Sequence, residues 1–363
     1  MDKKIYNTYL DILKEELVPA MGCTEPIAVA FAGALARKTL GTIPNYIDLT
    51  VSGNIIKNVK SVIVPHTNGR KGLQIAVCAG VCYGDSDKDL QVLSNANEKD
   101  IAFLDEYVKS VNVEIKESDS PYPFDINLTV ESDNDTATIR IVNNHTNVVL
   151  IKKNNMVIFE KEITNEPIQT PENRNLLTVE KIVEFANEVN IADVKNVIQR
   201  QIDYNTAIAD AGMSGKYGAN IGKILLRSYG NSVQNRAKAY AAAGSDARMN
   251  GCELPVVINS GSGNQGITAS VPVIVYAKEC NASEEMLYRA LVVSNLVTIH
   301  LKAGIGSLSA YCGATSAGAG AGAGIYYLYG GRYKEIAHTI VNTLAINSVS
   351  YTHLRAHETP EHL

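Results

Sequence analysis

The chain has 363 residues, 45% hydrophobic and 20% charged, with a formal net charge of −5. That is ordinary globular composition with room for two domains and a large core. No clustered Lys/Arg run is present, which argues against nucleic acid as a partner. Neither a secretory signal nor an ordinary membrane-spanning window is visible, so a soluble, cytoplasmic chain without a membrane partner is expected. Six scattered cysteines, Cys23, Cys78, Cys82, Cys252, Cys280 and Cys312, suit reduced thiols better than a disulfide framework.

Residues 4–40 read as two helices. Between them, Val18-Pro-Ala-Met-Gly-Cys-Thr-Glu-Pro26 is a turn that ends by starting a helix. There Thr24 suits the N-cap, Glu25 the first turn, and Pro26 a position where its missing N–H costs nothing. From Ile47 the pattern alternates. Strands are expected at 47–51, 60–64, 112–116, 126–130, 137–142 and 148–151, mostly antiparallel, with helices near 73–82 and 100–107. Residues 164–175 read as a linker. Helices follow at 179–190, 191–212, 220–226, 231–243, 282–301 and 334–344, separated by glycine-rich breaks.

The expected fold class is therefore α+β. N-terminal helices (1–42) pack on the catalytic domain, a mixed α/β sheet domain (43–165) is inserted, and a mostly helical catalytic domain (175–347) completes the fold. This packing would bring Cys23 towards residues after 250. The segment 348–363 has no apolar period and carries three of the seven histidines. It reads as an atypical tail, foreign sequence in place of a natural C-terminus.

Three motifs carry chemistry. In Met21-Gly-Cys-Thr-Glu-Pro26 a thiol at a helix N-terminus should feel the positive end of the dipole, which lowers its pKa. A buried cysteine in a tight turn is the plainer alternative. Asn259-Ser-Gly-Ser-Gly-Asn-Gln-Gly266, after a strand-like Leu254–Ile258, is a hydroxyl- and glycine-rich loop opening a helix. Its N–H groups can cradle an anion, with Asn264 and Gln265 adding donors for a carboxylate. It is neither a Walker loop nor a dinucleotide fingerprint. In Ser309-Ala-Tyr-Cys-Gly-Ala314, Cys312 repeats the glycine-framed setting of Cys23. The Ala/Gly alternation beyond it suits close helix packing. Cys78 and Cys82, at i, i+4 in an apolar stretch, read as core.

Among titratable groups, Asp246 with Arg248 could clamp a carboxylate. Lys223, Lys302 and His300 are acid–base candidates, Lys302 and His300 the weak catalytic choices.

Jointly, Gly22-Cys-Thr-Glu-Pro26, Gly261-Ser-Gly-Asn-Gln-Gly266 and Ser309-Ala-Tyr-Cys-Gly-Ala314 resemble the L-cysteine desulfidase family, related to the catalytic (alpha) subunit of iron–sulfur L-serine dehydratases. The resemblance runs from about residue 5 to about 347. It implies a [4Fe–4S] cluster held by three cysteines, with Cys23 and Cys312 as two of the ligands. The substrate would be a small amino acid, held by Thr24, Ser260, Ser262, Gly263, Asn264 and Gln265. The implied reaction is β-elimination of L-cysteine to pyruvate, ammonia and sulfide. L-serine dehydration is the alternative, and an inactive amino-acid-binding protein the second. A pyridoxal-phosphate enzyme would need a Schiff-base lysine, for which no convincing setting is found. The family's third ligand, in a Cys-Asp-Gly-Ala-Lys segment after Cys312, is absent from these 363 residues. In the inserted domain Ser52-Gly-Asn54 and His66-Thr67 are weak candidates for amino-acid contacts. The candidate assembly is a homodimer.

Overall fold

The computed structural model describes residues 1–60, 62–163, 172–305 and 313–357. Helix α1 (Lys3–Glu16) starts at Asp2, whose carboxylate accepts the N–H groups of Lys4 and Ile5. Its apolar stripe of Tyr9, Leu10, Ile12 and Leu13 is buried. A short strand β1 (Pro19–Met21) follows, then α2 (Thr24–Leu40), which is apolar nearly all round and buried.

Next come β2 (Tyr46–Val51), α3 (Gly53–Val59), α4 (Leu73–Tyr83), α5 (Glu98–Ser110), β3 (Asn112–Glu117), β4 (Asp125–Glu131), β5 (Thr136–Val142), β6 (Val148–Lys153) and β7 (Met156–Glu160). Strands β2–β7 form one sheet in the order β3-β2-β4-β5-β6-β7. Only β2 and β3 run parallel; the other neighbours are antiparallel. Strict alternation in Tyr46–Val51 and Thr136–Val142 turns Ile47, Leu49 and Val51, and Ala137, Ile139 and Ile141, towards the core. That face is covered by α2, which also packs tightly on α4. Gly80 of α4 allows the approach, because a Cβ there would overlap the carbonyl of Ala30.

The remainder is helical: α6 (Val179–Glu188), α7 (Ile191–Ser214), α8 (Ile221–Tyr229), α9 (Val233–Met249), α10 (Gly263–Glu279), α11 (Glu284–Ile305), α12 (Ala314–Leu328) and α13 (Tyr333–His357). One strand, β8 (Pro255–Val257), interrupts them and pairs antiparallel with β1, Met21 opposite Pro255. The alternating Ala and Gly of α12 let it lie close to α11, with Gly320 and Gly324 over the carbonyls of Ser294 and Ala290. The two N-terminal helices take different partners. The α1 stripe joins a core with α6, α7, α10, α11 and α12, while α2 belongs to the core that includes the sheet. Buried Arg174 ties the start of the helical half to α1 through Glu15 and Glu16, at 2.9 and 2.7 Å. The fold is mixed α and β, as expected. No described helix is long and apolar enough to cross a membrane.

Local differences from the sequence reading have physical causes. The strand expected at 60–64 does not form: α3 runs to Val59, and Ile63 makes only an isolated bridge to Lys71. Val64 instead bonds Arg70 across a tight loop in which His66, Asn68 and Gly69 all take positive φ. The sixth strand, β7, was not expected; a turn at Asn154 (φ 53°) folds it back on β6. Most of the expected linker, residues 164–171, lies outside the described residues, as do Cys312 and the end of the tail.

Candidate functional site

The β1–β8 ladder sets the site. Immediately after β1 the chain turns at Gly22 (φ 61°) and α2 begins behind Cys23. Just beyond β8, Asn259–Ser262 turns back on itself through reciprocal backbone bonds between Asn259 and Ser262, and α10 begins at Gly263. The two helix starts meet, as Thr24 Oγ1 donates to the Gly261 carbonyl at 3.3 Å. Gly313, at the start of α12, abuts the Gln265 side chain so closely that no Cβ would fit between them. Three helix N-termini therefore converge. Among the described residues none has a side-chain cap bond at its N-cap position, so three positive dipole ends face this point.

Buried polar groups surround this point. Arg248, at the end of α9, is 2% exposed; its Nη1 donates to Asn264 Oδ1 at 3.1 Å and its Nε has no partner. Gly263 makes space for it, since any Cβ there would overlap the guanidinium. From the β5–β6 turn, His145 packs edge-on against Phe124, with ring centroids 4.8 Å apart, and lies beside Gly261. Its Nε2 is buried without a partner, and so is Oε1 of Gln265. Such orphans are unusual in a native fold and call for an occupant.

The Cys23 thiol donates to Glu25 Oε2 at 2.9 Å, and Asn58 of α3 donates to Oε1 at 3.1 Å. Burial, then the Glu25 charge, push the Cys23 thiol up to about 12 against a smaller opposing effect of Arg248. The expected lowering by the helix dipole is thus reversed: desolvation of a thiolate outweighs a dipole end. Glu25 is held below the usual carboxylate range. Burial pushes it up, but His145, the Cys23 bond, its own N–H and Arg248 together prevail. Burial pushes His145 down from its ordinary value, with Glu25 opposing and Arg248 assisting.

A buried amide network holds the loop from behind. Asn205 of α7 bonds both backbone groups of Val257 and also Ser270, at 2.8–3.1 Å. Asn295 of α11 pairs reciprocally with Gln201 at 2.9 and 2.7 Å and accepts from Asn259 at 3.0 Å. Ser260 (φ 50°) turns its hydroxyl onto Asn259.

Of the residues expected at the site, Cys23, Thr24, Ser260, Ser262, Gly263, Asn264 and Gln265 share this one place, while Cys312 lies outside the described residues. Lys302 is buried on α11, and the only perturbation of His300 is burial, which lowers its pKa. Lys223 is committed to the end of α7, bonded to the Ser214 and Gly215 carbonyls. The Asp246–Arg248 pair separates: Asp246 caps α8 at Ile221 N, and Arg248 alone faces the site. Ser52 and Asn54 both bond the Pro123 carbonyl. His66 stands 3.5 Å from Glu253, and Thr67 donates to Val64 O. Cys78 and Cys82 are packed into α4. Among the described residues no cluster of three metal-ligating side chains forms. His145 and Asn58 had no sequence signal, since both reach the site from the sheet half through tertiary structure.

A profile of the serine dehydratase alpha chain matches residues 87–348. The chain belongs to this family. The match takes in His145, Arg248, the 259–266 loop and Cys312, and begins after Cys23. A UPF0597 protein of Desulfitobacterium hafniense is 56% identical over 345 residues, 95% of this chain and 80% of that protein. A UPF0597 protein of Lachnoclostridium phytofermentans is 48% identical over 94% of the chain and 82% of its own length. One from Aeromonas hydrophila is 37% identical over 94% and 79%. Membership of the serine dehydratase alpha-chain family places the chain with lyases of the serine dehydratase type, which act in amino-acid catabolism.

Proposed function

We propose that the chain is an iron–sulfur lyase that eliminates sulfide from L-cysteine to give pyruvate and ammonia, with L-serine dehydration as the alternative. The carrying observation is the buried cation Arg248, without an ion-pair partner among the described residues, beside a free thiol at three converging helix N-termini. A small carboxylate fits Arg248 together with the N–H groups and side chains of Gly263, Asn264 and Gln265.

The donor set around Cys23 also suits a sulfur-ligated anionic group. Its thiol is buried, positive helix dipole ends face it, and the partnerless His145 Nε2 and Arg248 Nε are near enough to act on the charge of Glu25. Cys23 and Cys312 would hold a [4Fe–4S] cluster; the third family ligand is not among these residues. When bound, such a cluster supplies a Lewis-acidic iron that polarises the leaving group.

The chain's own residues do the rest. Arg248 orients the substrate carboxylate. His145, neutral because it is buried, takes the α-proton on Nε2. Asn58 and Glu25 fix the start of α2, and burial keeps bulk water from the reacting centre. The same reading divides the chain into an inserted sheet domain (43–165), which lends His145 and Asn58, and a helical domain (175–347), which holds the loop, with a cytoplasmic location.

The test is purification without oxygen, followed by iron analysis, a visible spectrum, and pyruvate and sulfide assays with L-cysteine against L-serine. Iron with sulfide release supports the reading, and it should vanish in Cys23→Ala but not in Cys78→Ala. Faster turnover of serine selects the dehydratase. Binding of amino acids without turnover selects an inactive binding protein, and a pyridoxal band without iron overturns the proposal.

A further inference from the structure

Three buried polar atoms at the meeting of the helix starts lack a partner among the described residues: Arg248 Nε, His145 Nε2 and Gln265 Oε1. The first two have roles in the lyase reading, as carboxylate clamp and proton acceptor. The third has none. Gln265 is 7% exposed and stands third in α10, behind Ser262 at the N-cap. Ser-x-x-Gln is the spacing of a capping box, in which the glutamine side chain accepts the N–H of the N-cap residue. That box is not made. The Ser262 N–H goes to the Asn259 carbonyl at 3.1 Å, and no side-chain cap bond forms at Ser262. The Gln265 amide oxygen is thus left buried without a donor, at a cost to stability that a ligand can offset.

The amide is held in place. It lies against Gly313 at the start of α12, where no Cβ would fit. Long side chains of a helix lean towards its N-terminus, which carries Gln265 back over the opening of α10. Arg248 lies at the same opening, against Gly263 and bonded to Asn264 at 3.1 Å. The chemistry of the orphan atom then selects its partner. A carboxylate offers only acceptors, and so do the sulfurs of a cluster, so neither satisfies a carbonyl oxygen. An α-ammonium offers only donors, and it is carried on the same carbon as the carboxylate that Arg248 takes. The amide accepts it without adding a second buried charge to the site.

We infer that Gln265 Oε1 is the acceptor for the substrate's α-ammonium, and that Gln265 is the residue that selects amino acids over their deamino analogues. This rests on the amino-acid lyase reading and leaves the carboxylate to Arg248, Asn264 and the N–H groups. The test compares L-cysteine with 3-mercaptopropionate, which is L-cysteine without its amino group, on protein purified without oxygen. If serine is the faster substrate, L-serine and 3-hydroxypropionate form the pair. Gln265→Leu should raise KM for L-cysteine about 10-fold or more and leave inhibition by 3-mercaptopropionate within about two-fold. Gln265→Glu, an acceptor of the same shape, should keep KM closer to wild type than leucine does. Removing an orphan acceptor should not lower the melting temperature, whereas a structural role for the amide would. Equal losses for both ligands in Gln265→Leu, or an unchanged KM, overturn the inference. So does a glutamate variant worse than leucine, which would mean that the amide donates to the carboxylate. A wild-type protein that turns over neither L-cysteine nor L-serine strikes the lyase reading instead. Calorimetric binding of L-cysteine and 3-mercaptopropionate to the same variants then still decides the role of Gln265.

Discussion

Gly263 and Arg248 occupy one space: the guanidinium of Arg248 lies where a side chain at position 263 would stand. Gly263 opens α10 with no positive φ, so alanine can adopt its backbone conformation. The substitution should improve intrinsic helix propensity by up to ~1 kcal/mol while forcing Arg248 aside. Gly263→Ala is therefore expected to keep its melting temperature within a few degrees yet lose substrate affinity. The check is KM against thermal melting; a normal KM would remove Arg248 from the binding site.

Arg248 itself gives the complementary prediction. A hydrogen bond to a charged group contributes ~1.5–3 kcal/mol, so Arg248→Gln should raise KM roughly 10- to 100-fold. Arg248→Lys should restore only part of this, because lysine lacks the fork that can hold Asn264 and a carboxylate together. Steady-state kinetics on both variants measures the ordering, and an inverted order would show that charge alone suffices.

His145 predicts a pH dependence. Its pKa is lowered on folding, mainly by burial, so the folded protein sheds this proton more readily than the unfolded chain. The associated stability is full above about 6.5, the unfolded histidine value, and is lost as pH falls below it. If His145 accepts the α-proton, kcat/KM should stay level down to below about 6.5 and then fall. His145→Gln should lower kcat by about 10²- to 10⁴-fold and abolish that acid limb. An unchanged profile would assign the base to another residue.

Much of this was legible in the sequence for physical reasons that can be named. Alternation in Tyr46–Val51 and Thr136–Val142 marks strands with one buried face. The glycine-framed turns at Gly22 and Gly261 mark backbones that take positive φ, and at Gly22 the backbone also approaches Pro65 too closely for a side chain. What stayed hidden depends on tertiary contact. Arg248 was legible as a carboxylate clamp but its separation from Asp246 was not, and His145 reads as a turn residue until the sheet folds over the loop. The helix position of Cys23 suggested a low pKa, but its burial and Glu25 could not be read from spacing. Lys60–Val64 has the composition of a strand, but between the end of α3 and a tight loop Ile63 makes only an isolated bridge to Lys71.

The amide network behind the loop yields the last prediction. Asn205 satisfies both the N–H and the C=O of Val257 in a site without exposure, and Val257 belongs to the strand that carries the loop. Asn205→Ala strands the two backbone groups of Val257, at ~1–3 kcal/mol for each group left unsatisfied, while the Ser270 hydroxyl keeps its bond to the Gly266 carbonyl. Asn205→Leu fills the volume but does not satisfy the groups, so it should destabilise comparably. A packing role would predict that leucine rescues. Gln201 and Asn295 differ in kind, because each satisfies the other. Replacing both with apolar residues of similar size should cost less than the sum of the single changes. Asn295 also accepts from Asn259, so some loss should persist in the double variant and appear as reduced activity. Denaturant unfolding of the two singles and the double, with kinetics on each, separates these terms. Strict additivity would mean that the two amides do not act as a pair.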